Sequence, residues 1–331
     1  MVSFIMHKLH PFWGRRTVAI AAVLALGMAV TVVSPVRDAE AASIDSASRA
    51  SVAKAYLTQY LPAVATPSGW TGSAAKCVRG VESSLSKNAT LSAINYVRGL
   101  AGLSPAKLSS TLNAKALAAA LVYRAEGDIS HTIPKSWPCY TATAANAGAK
   151  SNIALGYSGA ATITGYMNDA GAGNEDAGHR RWILLSTDTV MGTGSTNNTN
   201  ALFVVGKQTA ASKVKSPTWV PWPSAGYFPS ELEPDGLWSL SGNSIFGTNF
   251  SKAKVSVTDV STGKALHVTL HKVTTGVGAS SITWGVSGIH APLGTTAVHS
   301  YTVKVSGMTK TGSSKKLSYT YTVKLFDPKK K

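Results

Sequence analysis

The chain has 331 residues, 44% of them hydrophobic, and carries 32 lysines and arginines against 15 acids, a net charge of +17. Such a charge attracts anionic surfaces through interactions that salt weakens. No zinc-finger, RNP-type or arginine-rich pattern is present, so we expect no nucleic-acid partner. An anionic cell-surface polymer or anionic lipid is the partner class that fits, and a well-hydrated surface without a specific partner is the alternative. The composition does not indicate an oligomeric state.

Residues 1–41 have the layout of a cleavable signal peptide. Residues 1–16 are basic and contain no acid, and residues 17–33 form an unbroken small and apolar run. Small residues follow at Ala39 and Ala41, the positions that a signal peptidase reads. The run of about 17 residues is shorter than the roughly 20 that span a membrane, and a permanent anchor is the alternative. We predict a secreted protein, extracellular or cell-wall associated, whose mature chain has no transmembrane segment and carries 28 basic residues against 13 acids.

Cysteine usage agrees with an oxidising destination. The chain contains only two cysteines, Cys77 and Cys139, and no C-x-x-C. Two cysteines are too few for a four-ligand zinc site, and compartments outside the cytoplasm favour disulfides. We predict a single Cys77–Cys139 disulfide, with two free thiols as the alternative.

The first half of the mature chain has helical periodicity. Residues 42–75 are predicted to be an N-terminal helical segment, with an amphipathic helix from Ala50 to Leu61 that Pro62 ends. Residues 76–207 form a predicted domain in which helices alternate with short β-like runs, an α+β pattern. The helices are expected near residues 88–100, 113–126, 160–169 and 174–185, and the strands near 189–191 and 201–205.

The second half changes to the two-residue period of β-strands. Five of the 14 prolines lie between Pro217 and Pro234, which predicts a semi-rigid Pro/Trp-rich linker over 208–235 rather than a helix or an inner strand. Residues 236–328 follow with alternating apolar residues between turn residues. Strands at this spacing predict an all-β sandwich of immunoglobulin-like type. The alternating runs lie at 253–257, 266–270, 282–286, 301–305 and 317–325.

Familiar catalytic motifs are absent from the sequence. It contains no H-E-x-x-H helix, no G-x-S-x-G elbow, no P-loop and no G-x-G-x-x-G. Two histidines of the helical domain stand in distinctive contexts: His131 within Asp-Ile-Ser-His-Thr-Ile-Pro, and His179 within Asn-Glu-Asp-Ala-Gly-His-Arg-Arg-Trp. Histidine suits metal binding and proton transfer near neutral pH. For either residue taken alone, a structural or surface role is the alternative.

The order of several short segments carries more information than any one of them. Two helical stretches come first, at 91–103 and 112–120. Three short motifs follow: Ser-His-Thr at 130–132, Ser-Asn-Ile-Ala at 151–154 and Tyr-Met-Asn-Asp at 166–169. The series ends with a histidine-containing helix and a glycine-ended strand at 178–194 and a final strand at 201–205. Over about residues 85–206 this series resembles the CAP superfamily, the secreted group of cysteine-rich secretory proteins, antigen 5 and pathogenesis-related proteins. The secretion signal and the C-terminal β domain match a bacterial secreted type.

The resemblance implies a CAP-type α-β-α sandwich with a cleft, which in many members holds two histidines and two acids and can bind a divalent metal such as zinc. His131 and His179 match the two histidines, and Asp169 matches one acidic position. Ser151 stands at the other acidic position, a departure that weakens metal binding. Glu175 lies four residues before His179, so on a helix it would share a face and could replace the missing acid, with helix capping as the alternative.

The leading hypothesis is therefore a secreted CAP-domain binding module for a lipid or sterol, a metal or a cell-surface partner, without an assigned catalytic residue. The first alternative is a metal-assisted extracellular hydrolase of peptide or wall polymer, in which zinc at His131 and His179 lowers the pKa of a bound water. The second alternative is cell-wall adhesion through the β domain and the basic surface.

Overall fold

The structure, a computed structural model, describes residues 44–245 and 247–331. The predicted signal peptide, residues 1–41, lies outside them. No helix within the described part of the chain combines the length and the hydropathy that crossing a membrane requires. Helices dominate the first half and sheets the second, in agreement with the predicted α+β class.

The N-terminal segment is a continuous helical rod that runs through Pro62 instead of ending there. Pro62 lies in the first turn after a π-helical stretch, where a missing backbone N–H is tolerated. Tyr56 and Tyr60 of the rod are buried against Tyr96, with ring centroids 6.1 and 5.0 Å away. The rod consists of α1 (Arg49–Ala55), the π-helical stretch (Tyr56–Tyr60) and α2 (Leu61–Val64).

Five further helices follow within residues 76–207, the CAP-like part of the chain. The first begins earlier than the predicted start at residue 88, because the side chain of Ser83 caps it. The last is shorter than predicted: residues 174–177 form a turn that ends at Ala177 with a left-handed φ of 52°. The helices are α3 (Ser84–Leu100), α4 (Ser110–Glu126), α5 (Ala142–Gly148), α6 (Ala161–Asn168) and α7 (Gly178–Ile183).

A four-stranded sheet lies between two helical layers. Its strands are β1 (Lys107–Leu108), β2 (Ser151–Leu155), β3 (Val190–Ser195) and β4 (Thr199–Phe203), in the order β1-β3-β4-β2, with only the β1–β3 pair parallel. Successive residues of a strand point to opposite faces. Ile153 and Ala201 accordingly share a core with α4 and α5, whereas Ala154 and Leu202 share one with α3 and α6. The result is the α-β-α layering expected from the resemblance.

Two glycines allow α4 to lie directly on β3. An ideal Cβ at Gly192 would fall 2.4 Å from the carbonyl carbon of Leu112, and one at Gly194 would fall 2.0 Å from the backbone nitrogen of Leu117. Packed atoms do not approach this closely, so a side chain at either position would push the helix off the sheet.

Residues 219–326, the β part of the chain, form two sheets that share a core. The strands are β5 (Trp219–Trp222), β6 (Gly226–Pro229), β7 (Leu237–Gly242), β8 (Thr248–Asn249), β9 (Lys254–Asp259), β10 (Val268–His271), β11 (Ser281–Val286), β12 (Val298–Lys310) and β13 (Lys316–Phe326). The first sheet has the order β10-β11-β7-β5, all antiparallel. In the second sheet, β6 pairs parallel with β13, and β12 pairs antiparallel with β13, β8 and β9. Trp238 of the first sheet packs against Tyr301 of the second with ring centroids 6.0 Å apart.

Much of the segment predicted as a linker, 208–235, is instead built into the β part. It contributes β5 and β6, each at the edge of its sheet. Edge strands tolerate proline, because one side of such a strand forms no ladder hydrogen bonds. The side chain of Trp222 is fully buried, with its ring 4.8 Å from that of Phe228. The segment therefore supplies core residues and is not a spacer.

The predicted disulfide is confirmed: Cys77 and Cys139 are joined, with 62 residues of sequence separation. The bond joins the 70–81 loop, in which Ser73 and Val78 pair, to the segment between α4 and α5, three residues before α5 begins.

Candidate functional site

His179 and Asp169 form the best-defined polar pair of the CAP-like part. Nδ1 of His179 lies 2.6 Å from Oδ1 of Asp169, and both side chains are buried. Oδ2 of Asp169 accepts a hydrogen bond from the backbone N–H of Arg180 at 3.0 Å. A neutral imidazole that donates its Nδ1 proton to a carboxylate leaves Nε2 as a hydrogen-bond acceptor. Asp169 thus fixes both the tautomer and the orientation of His179.

Local backbone geometry brings these two residues together. Asp169 ends α6 with a left-handed φ of 52°, which turns its carboxylate back toward the start of α7. The ring of Tyr166, one turn earlier on α6, stacks on the imidazole with centroids 5.2 Å apart. The hydroxyl of Tyr166 donates to Oδ1 of Asn200 at 2.9 Å, which anchors the stacked ring to β4. His179 is therefore held from two sides.

His179 is one of the residues that line a small cleft. Its Nε2 atom is buried and has no hydrogen-bond partner among the residues that the structure describes. The cleft has a volume of about 20 Å³, enough for about one water molecule. Its lining is mainly apolar, with Ile153, Ala154 and Tyr166 on the walls and Tyr157 among the residues around it. An apolar pocket with one oriented acceptor suits a single hydrogen-bond donor group of a ligand.

His131 is placed near this pair but does not line the cleft. Its Nδ1 is 2.9 Å from the carbonyl oxygen of Gly148, at the end of α5. Burial lowers the pKa of His131, and the nearby imidazole of His179 lowers it further, although the contact with Gly148 acts in the opposite direction. The structure thus brings the two histidines within electrostatic reach of each other.

The remaining predicted site residues do not supply the missing acid. Ser151 is buried at the start of β2, and its hydroxyl donates to the carbonyl of Ala147 at 2.7 Å. Glu175 is exposed and accepts a hydrogen bond from the N–H of Gly173, within the turn before α7. The prediction that Glu175 shares a helix face with His179 is wrong, because the helix begins only at Gly178.

These residues fit a zinc ion poorly. Zinc sites in proteins use three or four protein ligands. Within residues 44–245 and 247–331, no three His, Cys, Asp or Glu side chains are grouped closely enough to hold a metal ion. Both oxygens of Asp169 already accept hydrogen bonds, and the Ser151 hydroxyl is bound to the backbone. Nε2 of His179 is buried and has no hydrogen-bond partner among the residues that the structure describes, but a single nitrogen does not make a zinc site.

Two arginines that the sequence analysis did not single out connect the site to the β part. Arg180 is fully buried; its Nη1 donates to the carbonyl of Leu237 at 2.9 Å and lies 3.2 Å from the hydroxyl of Ser239. Arg181 donates to the carbonyls of Ala279 and Thr274 at 3.1 and 2.8 Å. Burial lowers the pKa of each arginine to about 10, so both remain charged at neutral pH. The sequence shows the Arg-Arg pair directly after His179 but not the distant residues that the two side chains contact.

Comparison with known proteins finds one family match, in the part of the chain that contains this site. Residues 91–208 match the family model described as CAP, the cysteine-rich secretory protein family. The match includes both histidines, Asp169 and Ser151, and it ends before β5 begins. No curated protein and no solved structure matches the chain.

Proposed function

We propose that this chain is a secreted binding protein, with the cleft beside His179 in its CAP-like part as the ligand site. The layout of residues 1–41 and the match to a secretory protein family support secretion. The β part is proposed to be an immunoglobulin-like sandwich of a bacterial secreted type. Its two mainly antiparallel sheets with a shared core support this, and the parallel β6–β13 pair is a departure from a purely antiparallel sandwich.

The observation that carries the proposal is the buried, unpartnered Nε2 of His179, oriented through Nδ1 by Asp169. A buried acceptor without a partner costs about 1–3 kcal/mol, which a ligand donor group would recover. The apolar walls at Ile153 and Ala154 strengthen such a hydrogen bond by excluding water. Binding therefore explains the cleft without a nucleophile or a metal.

The volume of the cleft limits what can enter it. About 20 Å³ admits a hydroxyl or an amino group but not the body of a lipid or sterol. The rest of a ligand would lie outside, against the half-exposed ring of Tyr157 and the neighbouring Asn174. This favours a hydroxyl-bearing lipid, sterol or cell-surface partner that inserts one group, over a ligand that is enclosed completely.

A hydrolase with zinc at His131 and His179 receives less support, because the donor set offers two imidazoles and no free carboxylate.

Co-purification tests the two functions against each other. The mature protein is incubated with a total lipid extract or solubilised wall fragments, recovered by size exclusion, and examined by mass spectrometry. We expect a bound species that His179→Phe, which fills the cleft, abolishes. Robust turnover of any supplied lipid or wall fragment that depends on His131 or His179 would overturn the proposal.

A further inference from the structure

We infer that the outer face of the β9-β12-β13 sheet, with the groove at its end, is a binding site for a linear, hydroxyl-bearing polyphosphodiester. The site is distant in sequence from the cleft and does not depend on the function proposed for it. The groove has a volume of about 760 Å³ and is lined by Lys252, Lys254 and Lys316 together with serine, threonine and asparagine side chains. Among the residues that the structure describes, none that lines the groove is acidic.

The charge of this part of the chain is strongly one-sided. Residues 236–331 contain twelve lysines and two acids, a net charge of +10 out of +17 for the whole chain. Of the two acids, Asp259 is the last residue of β9 and Asp327 directly follows β13, and both accept hydrogen bonds from backbone N–H groups there. The groove lies at the opposite ends of these strands, where Lys254 and Lys316 begin them. A positive potential without counter-charges therefore covers the groove.

Strand register extends the groove into a continuous polar face. Residues directly opposite each other in antiparallel strands project from the same side of the sheet. Ser306 pairs with both Lys254 and Ser318, and Lys304 pairs with both Ser256 and Thr320. The residues between them, including Val257, Val303, Val305, Tyr321 and Val323, are buried on the inner side. We call the outer side the lysine–hydroxyl face; its members are Lys254, Ser256, Thr258, Thr302, Lys304, Ser306, Ser318, Thr320 and Thr322.

The groups on this face are free to bind. Lys254 and Lys304 are diagonal neighbours on adjacent strands, so two ammonium groups face the same space. None of the ion pairs formed within the described residues involves these lysines or Lys316. Ammonium groups in such a row attract successive phosphates, and the adjacent hydroxyls can hydrogen-bond a polyol backbone. A flat sheet face that leads into a groove can accommodate an extended polymer chain.

Other polyanions fit the face less well. Single-stranded nucleic acid is held through aromatic side chains on which bases stack, and the lysine–hydroxyl face and its groove contain none. Membrane-surface binding relies on apolar side chains inserted beside the charges. The nine members of the lysine–hydroxyl face are all lysines, serines or threonines, and the exposed Val298 lies at the far end of β12 from the groove. A soluble linear polyphosphodiester is therefore the ligand that fits this face best.

The test uses the full mature chain and poly(glycerol phosphate) as the probe. Binding is measured by fluorescence anisotropy at about 0.15 M salt and then over a series of salt concentrations. The face variant is Lys254→Gln/Lys304→Gln/Lys316→Gln. The control variant, Lys76→Gln/Lys135→Gln/Lys207→Gln, removes the same charge from exposed lysines of the CAP-like part. Because every substituted lysine is exposed, thermal melts of both variants should match that of the parent.

We expect the face variant to raise the dissociation constant about tenfold or more. The slope of log K against log salt should decrease in magnitude by about two, because each phosphate contact on a single-stranded polyanion contributes roughly 0.7 to that slope and three lysines are lost. The control variant should change the constant less than about twofold by loss of net charge alone. Equal losses in the two variants, or no binding by the parent, would overturn the inference. So would binding to phosphatidylglycerol vesicles or single-stranded DNA that the polymer cannot displace.

Discussion

Nη1 of Arg180 lies 2.9 Å from the carbonyl oxygen of Leu237, so the residue next to the cleft histidine is bonded to the first residue of β7. The same guanidinium donates to the carbonyls of Met167 and Asn168, near the end of α6. Arg180 therefore fixes α6, α7 and β7 to one another through one planar group. The position of His179 depends on the β part as well as on the CAP-like part.

Replacing Arg180 should destabilise the whole protein. Arg180→Met leaves the carbonyls of Met167, Asn168 and Leu237 without their donor, and we expect a loss of about 3 kcal/mol or more in the free energy of unfolding. Urea denaturation measures the change. Arg124→Met, at an exposed position on α4, is the matched control and should cost less than about 0.5 kcal/mol. Similar losses in the two variants would contradict the bridging role.

Asp169→Asn should disturb His179 more than it disturbs the fold. An amide cannot accept from both the imidazole N–H and the Arg180 N–H with its two terminal atoms, so one contact is lost. We expect a cost of about 1–3 kcal/mol and a changed tautomer of His179. The ¹⁵N shifts of the imidazole report the tautomer directly. Unchanged shifts would show that Asp169 does not orient the ring.

Removing the disulfide should lower stability through the unfolded state. A loop closed over 62 residues is expected to contribute about 4 kcal/mol by chain entropy. Cys77→Ser/Cys139→Ser should therefore unfold at clearly lower urea concentrations than the parent. A loss below about 1 kcal/mol would show that the 70–81 loop gains nothing from the covalent tie.

Acid should destabilise the protein through His131. Because burial lowers the pKa of this residue in the folded state, the unfolded chain binds its proton more readily below the ordinary value of about 6.5. The stability that the neutral side chain of His131 contributes is complete above that pKa and is lost as the pH falls. The free energy of unfolding should therefore decrease from pH 7 to pH 5. His131→Gln should flatten this dependence in urea titrations at several pH values. An equally steep decrease in the variant would assign the effect to other groups.

Zinc should not bind stoichiometrically to the mature protein. The site offers two histidines, together with the Asp169 carboxylate, whose two oxygens already accept hydrogen bonds, and the Ser151 hydroxyl, which is hydrogen-bonded to the carbonyl of Ala147. Calorimetric titration of the parent and of His131→Ala/His179→Ala should give the same weak or absent heat. Tight binding by the parent that the double variant loses would return the metal hypothesis to the cleft.

Periodicity and collinear motifs were sufficient to predict the layered architecture. The helices near 113–126 and 160–169, all five β runs and the disulfide lie close to where they were expected. The predictions failed where a local capping interaction overrode the hydrophobic pattern. Ser83 starts α3 earlier than Asn88, and the turn at 174–177 delays α7, which removes Glu175 from the site. Edge strands rich in proline, β5 and β6, could not be distinguished from a linker, because period-two alternation is weak in short segments.

The site itself was only partly predictable. The family resemblance assigned His179 and Asp169 to one cleft, and in the structure the two side chains are in contact. The tertiary contacts of Arg180 and Arg181 with β7 and the 274–279 loop join residues about 57 to 98 positions apart, for which a local pattern gives no signal. The lysine–hydroxyl face also depends on register, which only the pairing of β9, β12 and β13 defines.

The N-terminal rod is fastened to the other end of the chain. Arg49 donates to the carbonyl of Lys330 at 3.1 Å across 281 residues of sequence, Tyr56 is hydrogen-bonded to Glu231, and the N–H of Tyr227 reaches the carbonyl of Ser46. During synthesis, α1 is made long before any of these partners, and the carbonyl of Lys330 becomes available only after the last strand. A chain that ends before β6 would therefore leave α1 without these contacts.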